Sequence, residues 1–428
     1  MTPTFDQLEI IYTKVRATIS PRVQRSKVFC MAPWIQLHAQ TNGDVGPCCM
    51  ANMEEGNAIA NLNTNADIRA AWNSEAMMRL RQNMLKGKQS TICKNCYAYE
   101  KVGRYSERTQ YNSLYKAYYG RVLNTSPQGY VAEQSIPLID IRFSNRCNYK
   151  CRICSSEYSS LWHEEELRLD PNAKPYPKGL KMAADEDQFW QSFETLLPDV
   201  KRLHFAGGEP LVMDEHYRTL EHLISIEKTD LTLSYNTNLS TLNHKQHDLV
   251  ALWNKFEKVD IWASLDGMGP KGDYQRKGQH WPTIETNIRK VKQLCPAATI
   301  GVNATVSILN VLHMPEFYRH MVDSALVDAN RMNLYVLFSP HYLSINNLTP
   351  NLKRSVNALY AEFINGYAKR LDNGKNIINN AQAVLNYMNE KDENLKQEFW
   401  QHTAALDRLR GESFVSIFPE LAEMTSKP

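Results

Sequence analysis

The stretch Cys147-Asn148-Tyr149-Lys150-Cys151-Arg152-Ile153-Cys154 places three cysteines within eight residues, directly after an apolar, strand-like run from Pro137 to Phe143. This arrangement predicts a loop at the carboxyl end of a strand, where the active and ligand-binding sites of α/β folds lie. Zinc sites usually close with four protein ligands, whereas three cysteines with gaps of three and two residues suit an iron–sulfur cluster that leaves one iron open. Cysteines buried without a metal, or zinc with a distant fourth ligand, are the alternatives.

The composition is ordinary for a globular protein. The 428 residues have room for a large core or two domains, and 43% are hydrophobic and 22% charged. A net charge of +3 gives no reason to expect a nucleic-acid surface. Residues 1–20 lack a secretory signal pattern, and no apolar run approaches the length of a membrane span. Nine cysteines in such a chain indicate reduced thiols, so we expect a soluble, cytoplasmic protein with no membrane partner.

A second group of cysteines lies upstream, between Cys30 and Cys96. The turn pair Asn42-Gly43 between alternating apolar residues predicts a β-hairpin, which would bring Cys30 and Cys48 to the same end of two paired strands. A helical stretch follows and leads to Cys93-Lys94-Asn95-Cys96. Four cysteines from a hairpin and a C-x-x-C unit can enclose a metal fully, so zinc and an iron–sulfur cluster are both compatible with this pattern.

From residue 136 onward, strand-like and helical patterns alternate, which predicts a parallel sheet. The charged residues 163–190 follow the cysteine loop as an insertion that could cover the site, and the chain becomes mostly helical after Pro340. The predicted strands are Pro137–Phe143, Val200–Ala206, Leu231–Asn236, Val259–Ser264, Thr299–Ser307 and Met332–Phe338. The predicted helices are Glu215–Glu227, His244–Lys255, Thr283–Leu294, Met314–Val322, Leu352–Leu371, Asn379–Asn389 and Glu398–Leu409, with Tyr97–Val122 and an N-terminal amphipathic helix upstream.

Polar residues follow three of the predicted strands. Gly207-Gly208-Glu209-Pro210 ends the second strand, where glycines let the backbone approach a ligand closely and a carboxylate can accept from an ammonium group. Asn236-Thr237-Asn238 ends the third strand, and Ser264-Leu265-Asp266-Gly267 ends the fourth. Each could instead be a turn or ordinary strand-end capping. Their order along the chain is more specific than any one of them.

The pattern Cys147-x-x-x-Cys151-x-x-Cys154 resembles the signature of the radical S-adenosylmethionine (radical SAM) superfamily. In that family the three cysteines hold a 4Fe–4S cluster whose open iron chelates the methionine moiety of S-adenosyl-L-methionine. One electron from the cluster cleaves the cofactor to a 5′-deoxyadenosyl radical, which abstracts hydrogen from the substrate. The resemblance therefore implies both the iron–sulfur cluster and S-adenosylmethionine as cofactors.

The upstream cysteines resemble a SPASM or twitch module, which holds an auxiliary 4Fe–4S cluster. The full SPASM pattern has further cysteines after the C-x-x-C pair, and this chain has none before Cys147, so it resembles the shorter twitch form. The resemblance implies Cys30, Cys48, Cys93 and Cys96 as ligands, with Cys49 the alternative to Cys48. In the family the module usually follows the barrel, whereas here it precedes it. The resemblance rests on Cys30-x-x-Pro33-Trp34, Gly43 before Cys48, Gly56-Asn57, Ala71-Trp72-Asn73-Ser74, Leu80-Arg81 and Cys93-x-x-Cys96.

The strand-end motifs extend the resemblance. Gly-Gly-Glu-Pro resembles the motif that binds the methionine amino group, and polar residues at the next strand ends reach the ribose and carboxylate of the cofactor. An arginine after the fourth strand would meet that carboxylate, a pairing that a guanidinium makes well, and an apolar residue in the cysteine loop would pack on adenine. The cofactor-binding residues so implied are Gly207, Gly208, Glu209, Pro210, Asn238, Ser264, Asp266, Arg276 and Ile153.

The resemblance also implies the fold class: an α/β partial (β/α)6, TIM-like radical SAM barrel, with a small N-terminal β-hairpin and helix iron–sulfur module and a helical C-terminal tail. The predicted domains are residues 1–29 (N-terminal helix and connector), 30–100 (auxiliary module), 101–135 (linker), 136–340 (partial barrel) and 341–428 (helical C-terminal region).

The function that follows is that of a radical SAM oxidoreductase which abstracts hydrogen from a substrate carbon while the substrate electron leaves through the auxiliary cluster. Oxidative modification of a ribosomally made peptide is the leading hypothesis. Radical oxidation of a small metabolite, a non-catalytic iron–sulfur electron-transfer protein and an RNA-modifying enzyme are the alternatives. A carrier needs no cofactor pocket, and an RNA enzyme would need a basic face with stacking aromatics. We expect a flavodoxin- or ferredoxin-type electron donor and no nucleic-acid partner.

Overall fold

A computed structural model describes residues 25–53, 56–101 and 106–425 of the chain. The chain divides into two compact units. The first unit comprises Met1–Ser144, Lys181–Gly207 and Glu215–Leu233, and the second comprises Asn145–Leu180, Gly208–Asp214 and Ser234–Pro428. The predicted N-terminal helix lies outside the described residues. None of the described helices is long and apolar enough to span a membrane.

Strands and helices are numbered here in chain order. The strands are β1 (Gln36–Ala39), β2 (Asp44–Gly46), β3 (Ala60–Asn61), β4 (Leu138–Ile141), β5 (Lys150–Cys151), β6 (Arg202–Phe205), β7 (Thr232–Thr237), β8 (Asn243–His244), β9 (His247–Asp248), β10 (Lys258–Ser264), β11 (Arg276–Lys277), β12 (Ala298–Val306) and β13 (Met332–Val336). The helices are α1 (Glu75–Leu85), α2 (Lys94–Lys101), α3 (Glu107–Leu114), α4 (Tyr119–Leu123), α5 (Trp162–Leu169), α6 (Glu186–Glu194), α7 (Asp214–Ser225), α8 (Leu249–Trp253), α9 (Gly269–Gln275), α10 (Trp281–Leu294), α11 (Met314–Asp323), α12 (Pro350–Gly366), α13 (Lys375–Glu390), α14 (Lys396–Arg410) and α15 (Phe414–Ile417).

The first unit contains strands in the order β6-β4-β1-β2-β3. β1 and β2 form the antiparallel hairpin that the turn pair predicts, with His38 opposite Gly46. Gly43 in the turn has a φ of 87°, a conformation that glycine adopts at low cost. β1 also pairs in parallel with β4, which pairs in parallel with β6. This second pairing of the hairpin is a feature that the sequence does not predict.

A row of ionisable side chains crosses the three parallel strands of the first unit. His38, Asp140 and His204 occupy one register position on β1, β4 and β6, and His38 Nδ1 lies 3.0 Å from Asp140 Oδ2. Burial lowers the pKa of His204 to about 4, although the charge of Asp140 opposes this shift. Burial alone would raise the pKa of Asp140, but His38, His204 and Arg142 hold it well below its usual range. At neutral pH the row therefore places one carboxylate between two neutral imidazoles.

The second unit contains strands in the order β13-β12-β10-β7, with β10, β12 and β13 parallel. α10 packs on β12, and α13 packs on β13. Each of the six strands predicted from residue 137 onward is present in one unit or the other, and helices separate these strands along the chain. The predicted α/β class, with parallel strands and a helical C-terminal region, is confirmed.

Two predicted helices differ in extent from the structure. The helix predicted from His244 begins only at Leu249, because β8 and β9 form a hairpin first, with Lys245 at a φ of 51° in its turn. Asp248 then caps α8 by accepting from the backbone N–H of Ala251. The helix predicted over residues 97–122 is divided into α2, α3 and α4, with residues 102–105 outside the described part. The C-terminal helices are confirmed as α12, α13 and α14.

The buried row predicts an acid-sensitive fold. Between about pH 6.5 and about pH 4 an unfolded chain protonates His204 while the folded chain does not, so stability should fall as pH decreases, by up to about 3 kcal/mol. The charged groups that act on His204 are Asp140, Arg202, Arg142 and His38. Urea unfolding of the metal-free protein across this pH range should show a smaller loss for His204→Asn. His222→Asn, which lies outside the row, should keep the wild-type dependence of the free energy of unfolding on pH. The same dependence in all three proteins would contradict a role for His204 in the acid sensitivity.

Candidate iron–sulfur and cofactor site

The cysteine loop of the second unit is held by a short antiparallel strand pair. β5 and β11 pair with Cys151 directly opposite Arg276. The indole Nε1 of Trp162 donates to the carbonyl of Cys151 at 3.0 Å. Gly278 follows β11 with a φ of 112°, and a Cβ there would lie 2.7 Å from the ring of Tyr149. These contacts fix the backbone on which the three cysteines lie.

The three thiols interact with one another. Burial raises the pKa of Cys147, Cys151 and Cys154, to about 12 for Cys154, and the charge of Cys151 raises the pKa of the other two further. Buried thiolates require compensating positive charge. Nη1 of Arg276, 3.8 Å from the Sγ of Cys151, supplies part of it, and cluster iron would supply the rest. The donor set therefore fits a 4Fe–4S cluster with one open iron.

Arg276 connects the cysteine loop to the end of β10. Its Nε lies 2.8 Å from Asp266 Oδ2, and Asp266 Oδ1 accepts from the backbone N–H of Thr305 at 2.7 Å. Burial alone would lower the pKa of Arg276, but the charges of Asp266 and Cys151 raise it overall. Asp266 is only 2% exposed, so its carboxylate positions the guanidinium. The remaining N–H groups of Arg276 can bind a carboxylate.

Glu209 is 1% exposed, and its carboxylate accepts three hydrogen bonds. Its carboxylate accepts from Thr237 Oγ1 at 2.6 Å and from the backbone N–H groups of Asn238 and Leu211 at 2.6 and 3.1 Å. Burial raises the pKa of Glu209 to about 7, although these hydrogen bonds oppose the shift. A bound ammonium group would favour the ionised carboxylate. Nδ2 of Asn238 donates to Asn148 Oδ1 at 2.8 Å, which joins this strand end to the cysteine loop.

The two glycines before Glu209 allow close backbone packing. A Cβ on Gly208 would lie 2.1 Å from the carbonyl oxygen of Arg146, in the segment that enters the cysteine loop. Gly207, in the first unit, has a φ of 111°, and a Cβ there would lie 2.9 Å from the Cβ of Arg142. Both glycines are therefore required by packing within their own units, in addition to any contact with a ligand.

A cavity of about 850 Å³ in the second unit adjoins the cysteine loop. Ile153 and Cys154 line it, and so do Glu166 and Leu169 of the predicted insertion. The lining also includes Tyr342 and His402, whose rings are stacked with centroids 4.5 Å apart. The insertion therefore faces the cysteine loop, as the sequence predicts, and Ile153 presents an apolar surface to the cavity.

The structure brings most of the predicted cofactor residues into one unit. Ser264 is half-buried at the end of β10, beside Asn303 of β12. Of the residues predicted to bind S-adenosylmethionine or its cluster, Gly207 is the one that belongs to the first unit. The predicted residues in the second unit are Cys147, Cys151, Ile153, Cys154, Gly208, Glu209, Pro210, Asn238, Ser264, Asp266 and Arg276.

The C-terminal region clamps the cysteine loop, a role that the sequence analysis missed. Arg152 is 5% exposed and pairs with Asp407 of α14 and with Glu412 at 2.6 Å. Its guanidinium carbon lies 3.6 Å from the ring centroid of Tyr274. Asp407 also accepts from the hydroxyl of Tyr274 at 2.7 Å and from the backbone N–H of Phe414 at 2.6 Å. The only sequence signal is a charged residue between two cysteines that are predicted to be ligands.

The upstream cysteines come together in the first unit. Burial raises the pKa of Cys30 and Cys48, and the charges of Cys93 and Cys96 raise both further. Cys49 also raises the pKa of Cys48, but the charges that act on Cys49 itself are those of Asp140, Glu107 and Arg142 and not those of Cys30, Cys93 or Cys96. This supports the choice of Cys48 over Cys49 as a ligand. Among the described residues, no group of three or more His, Cys, Asp or Glu side chains is arranged to hold a single metal ion.

The other motif residues of this module hold its backbone. Nε of Arg81 donates to the carbonyl of Pro33 at 2.8 Å, and its guanidinium carbon lies 4.5 Å from the ring centroid of Trp72. Asn73 Oδ1 accepts from Nη1 of Arg81 at 2.9 Å and from the backbone N–H of Val131 at 3.1 Å. These residues therefore fix the segment that follows Cys30.

Residues 30–97 match the SPASM family model, an iron–sulfur cluster-binding domain. This part of the chain is a SPASM-type iron–sulfur module. The match confirms the predicted iron–sulfur chemistry of the SPASM module, while its individual ligands stay predictions. No curated protein matches the sequence.

The chain is also similar to solved structures. Native anSMEcpe with bound AdoMet and a Cp18Cys peptide is 17% identical, with 54% of this chain and 61% of that chain covered and a TM-score of 0.36. SuiB of Streptococcus suis bound to precursor peptide SuiA is 14% identical, with 72% and 64% covered and a TM-score of 0.38. The radical S-adenosylmethionine methyltransferase TsrM from Kitasatospora setae, with cobalamin and a 4Fe–4S cluster bound, is 16% identical, with 44% and 34% covered and a TM-score of 0.29. The chain spans less than two thirds of each, and scores at this level do not establish a shared fold.

Gly208→Ala tests the packing of the cysteine loop. The added Cβ meets the carbonyl of Arg146, so the loop must move, and iron bound per chain should fall, by about four atoms if the loop holds one cubane. Gly366→Ala is the matched control, because no atom lies within 4 Å of its added Cβ. Iron content after anaerobic reconstitution is the measurement. Full iron loading of Gly208→Ala would refute the packing argument.

Asp407→Asn tests the C-terminal clamp. Removing the carboxylate leaves Arg152 buried with Glu412 as its remaining anionic partner, so the free energy of unfolding should fall by about 2 kcal/mol or more. Glu164→Gln, in the exposed pair with Lys178, should change it little. Urea unfolding measures both. If the two variants are equally stable, the clamp contributes nothing to the fold.

Proposed function

We propose that this chain is a radical SAM enzyme that carries out the oxidative modification of a peptide. The observation that carries the proposal is the grouping of three interacting thiols with a buried carboxylate, Glu209, and a buried ion pair, Arg276–Asp266, in one unit. An anionic and a cationic group beside a thiol cluster complement the ammonium and carboxylate of an amino acid. The SPASM-type module supports the same family.

Each protein group has a separate task in this proposal. A 4Fe–4S cluster with S-adenosylmethionine would supply the 5′-deoxyadenosyl radical. Glu209 accepts from the ammonium group, and Arg276, held by Asp266, donates to the carboxylate. Ser264 and Asn238 would form a polar edge for the ribose, and Ile153 would offer an apolar surface for the adenine. The surrounding protein excludes water from the reacting centre.

The SPASM module supplies the oxidising step. Cys30, Cys48, Cys93 and Cys96 would hold an auxiliary cluster through four ligands and leave it no open iron, so such a cluster would supply an electron acceptor for the substrate radical and not a substrate-binding site. The net reaction removes one hydrogen atom and one electron, with loss of a proton, from the substrate. A flavodoxin- or ferredoxin-type protein returns the cofactor-binding cluster to its reduced state.

Each predicted domain has one role in this proposal. Residues 30–100 hold the auxiliary cluster, residues 136–340 hold the cofactor and substrate, and residues 341–428 enclose the cysteine loop. Peptide chemistry is favoured here because two of the similar structures contain a peptide, anSMEcpe a Cp18Cys peptide and SuiB its precursor peptide SuiA.

Iron analysis and EPR test the proposal. Anaerobically prepared wild-type protein should contain about eight irons per chain, and a Cys147/Cys151/Cys154→Ala triple variant about four, because each cubane holds four. S-adenosylmethionine should shift the dithionite-reduced EPR signal of the wild type only, and the wild type should release 5′-deoxyadenosine. Cysteine 295, a buried cysteine in the second unit outside every motif, provides the control Cys295→Ala, which should behave as wild type. An intact cofactor after reduction would rule out radical chemistry.

A further inference from the structure

Three asparagine side chains form a chain of hydrogen bonds across the second unit. Nδ2 of Asn333 on β13 donates to Oδ1 of Asn303 on β12 at 3.0 Å. Nδ2 of Asn303 then donates to Oδ1 of Asn236 on β7 at 3.2 Å. Each asparagine is half-buried. None of the implied cofactor contacts uses this amide chain.

The amide chain lies at a defined level of the sheet. Ser264 and Asn303 are register partners on β10 and β12, and Asn303 and Asn333 are register partners on β12 and β13. Asp266 lies two residues beyond Ser264, just past the end of β10, and its Oδ1 accepts from the backbone N–H of Thr305, two residues beyond Asn303. Asp266 holds Arg276, which contacts the ligand cysteine Cys151. The amide chain is therefore at the level of Ser264, one layer below the Asp266–Arg276 pair.

The layer below the amides is closed by charged and aromatic groups. Asp260 and Trp262 precede Ser264 at intervals of two residues and face the same side. Nη2 of Arg331 lies 2.6 Å from Asp260 Oδ1, and its guanidinium carbon lies 4.2 Å from the ring centroid of Trp262. Gly301 leaves room for this ring, because a Cβ there would lie 2.7 Å from it. The amides thus form a neutral layer between the buried Arg276–Asp266 pair and the half-buried Arg331–Asp260 pair.

The two ends of the amide chain have unused hydrogen-bonding groups. Within the described residues, neither Nδ2 of Asn236 nor Oδ1 of Asn333 has a protein partner. One end is a donor and the other an acceptor. Reversing all three amides would exchange the two ends but would still leave one donor and one acceptor. A half-buried surface that offers both groups complements a ligand that presents an N–H and a carbonyl.

We propose that Asn236, Asn303 and Asn333 bind the backbone of an extended peptide substrate, at the level of Ser264 and one layer below the Asp266–Arg276 pair. This inference rests on the proposed radical SAM function and names the part of the substrate that is recognised. The distance from β7 to β13 is three strand spacings, about 14 Å, which equals about four residues of extended peptide. The layer contains no charged side chain, so it suits neutral peptide groups better than a phosphate or carboxylate.

Equilibrium binding tests this inference without turnover. The probe is a pool of N-acetylated, C-amidated random pentapeptides, applied to the immobilised, oxidised holoenzyme with S-adenosylmethionine. Retained members are identified by mass spectrometry. Each is then resynthesised with single backbone amides replaced by esters, which removes one N–H. At least one ester position should weaken binding to the wild type about five-fold, the effect of losing one neutral hydrogen bond.

Asn303→Ala and the amide-to-ester change in the peptide together form a double-mutant cycle. Asn303→Ala should weaken binding of the amide peptide about five-fold, while the sensitive ester should cause little further loss in this variant. Asn333→Ala, at the end of the amide chain, repeats the test if Asn303→Ala does not load iron. Asn357→Ala is the control, because that amide pairs with Asn389 on the helices and not on the sheet. It should bind like the wild type.

Each outcome decides the inference separately from the proposed function. Equal binding by Asn303→Ala, Asn333→Ala and Asn357→Ala, or no retained peptide, would overturn it. Ester losses that add fully to the Asn303→Ala loss would also overturn it. Release of 5′-deoxyadenosine by the same wild-type preparation reports the proposed function independently, so a protein that cleaves the cofactor but ignores the peptides would contradict only the peptide site.

Discussion

The Arg276 guanidinium is the group on which the candidate site depends. It is opposite Cys151 in a strand pair of two residues, near the Cys151 sulfur, and beside the Asp266 carboxylate at the end of β10. A buried guanidinium without anions would be costly, and so would buried thiolates without a cation. Each partner therefore reduces the desolvation cost of the others. The same contact fixes where the cysteine loop lies relative to β10, so the electrostatics and the geometry of the site have one origin.

A second buried cation holds the loop from the opposite direction. Arg152 lies within the cysteine loop and pairs with Asp407 and Glu412. Arg276 lies opposite the loop and pairs with Asp266. Iron–sulfur potentials depend on nearby charge and on solvent exposure. The C-terminal region, which contributes Asp407, is thus part of the immediate environment of the cysteines and not merely a packing element.

Local sequence patterns predicted the six strands from residue 137 onward, the hairpin at Asn42-Gly43 and the strand-end motifs, because each depends on residues close together in the chain. The pairing of β1 with β4 and the row His38–Asp140–His204 depend on residues that are far apart in sequence. A histidine or an asparagine in a strand has no local pattern that tells whether it will meet a partner. The Asn236–Asn303–Asn333 chain and the Arg152–Asp407 pair were invisible in the sequence for the same reason.

The period of two along β10 explains why these features occur together. Asp260, Trp262, Ser264 and Asp266 alternate with the buried residues Ile261, Ala263 and Leu265, so one face carries every polar group and the other carries core side chains. A shift of one residue would exchange the two faces and bury Asp260 and Asp266 without Arg331 and Arg276. The two ion pairs therefore fix the register at both ends of the strand. Because Ser264 and its partner Asn303 lie between them, that fixed register also determines the position of the proposed peptide layer relative to the cofactor.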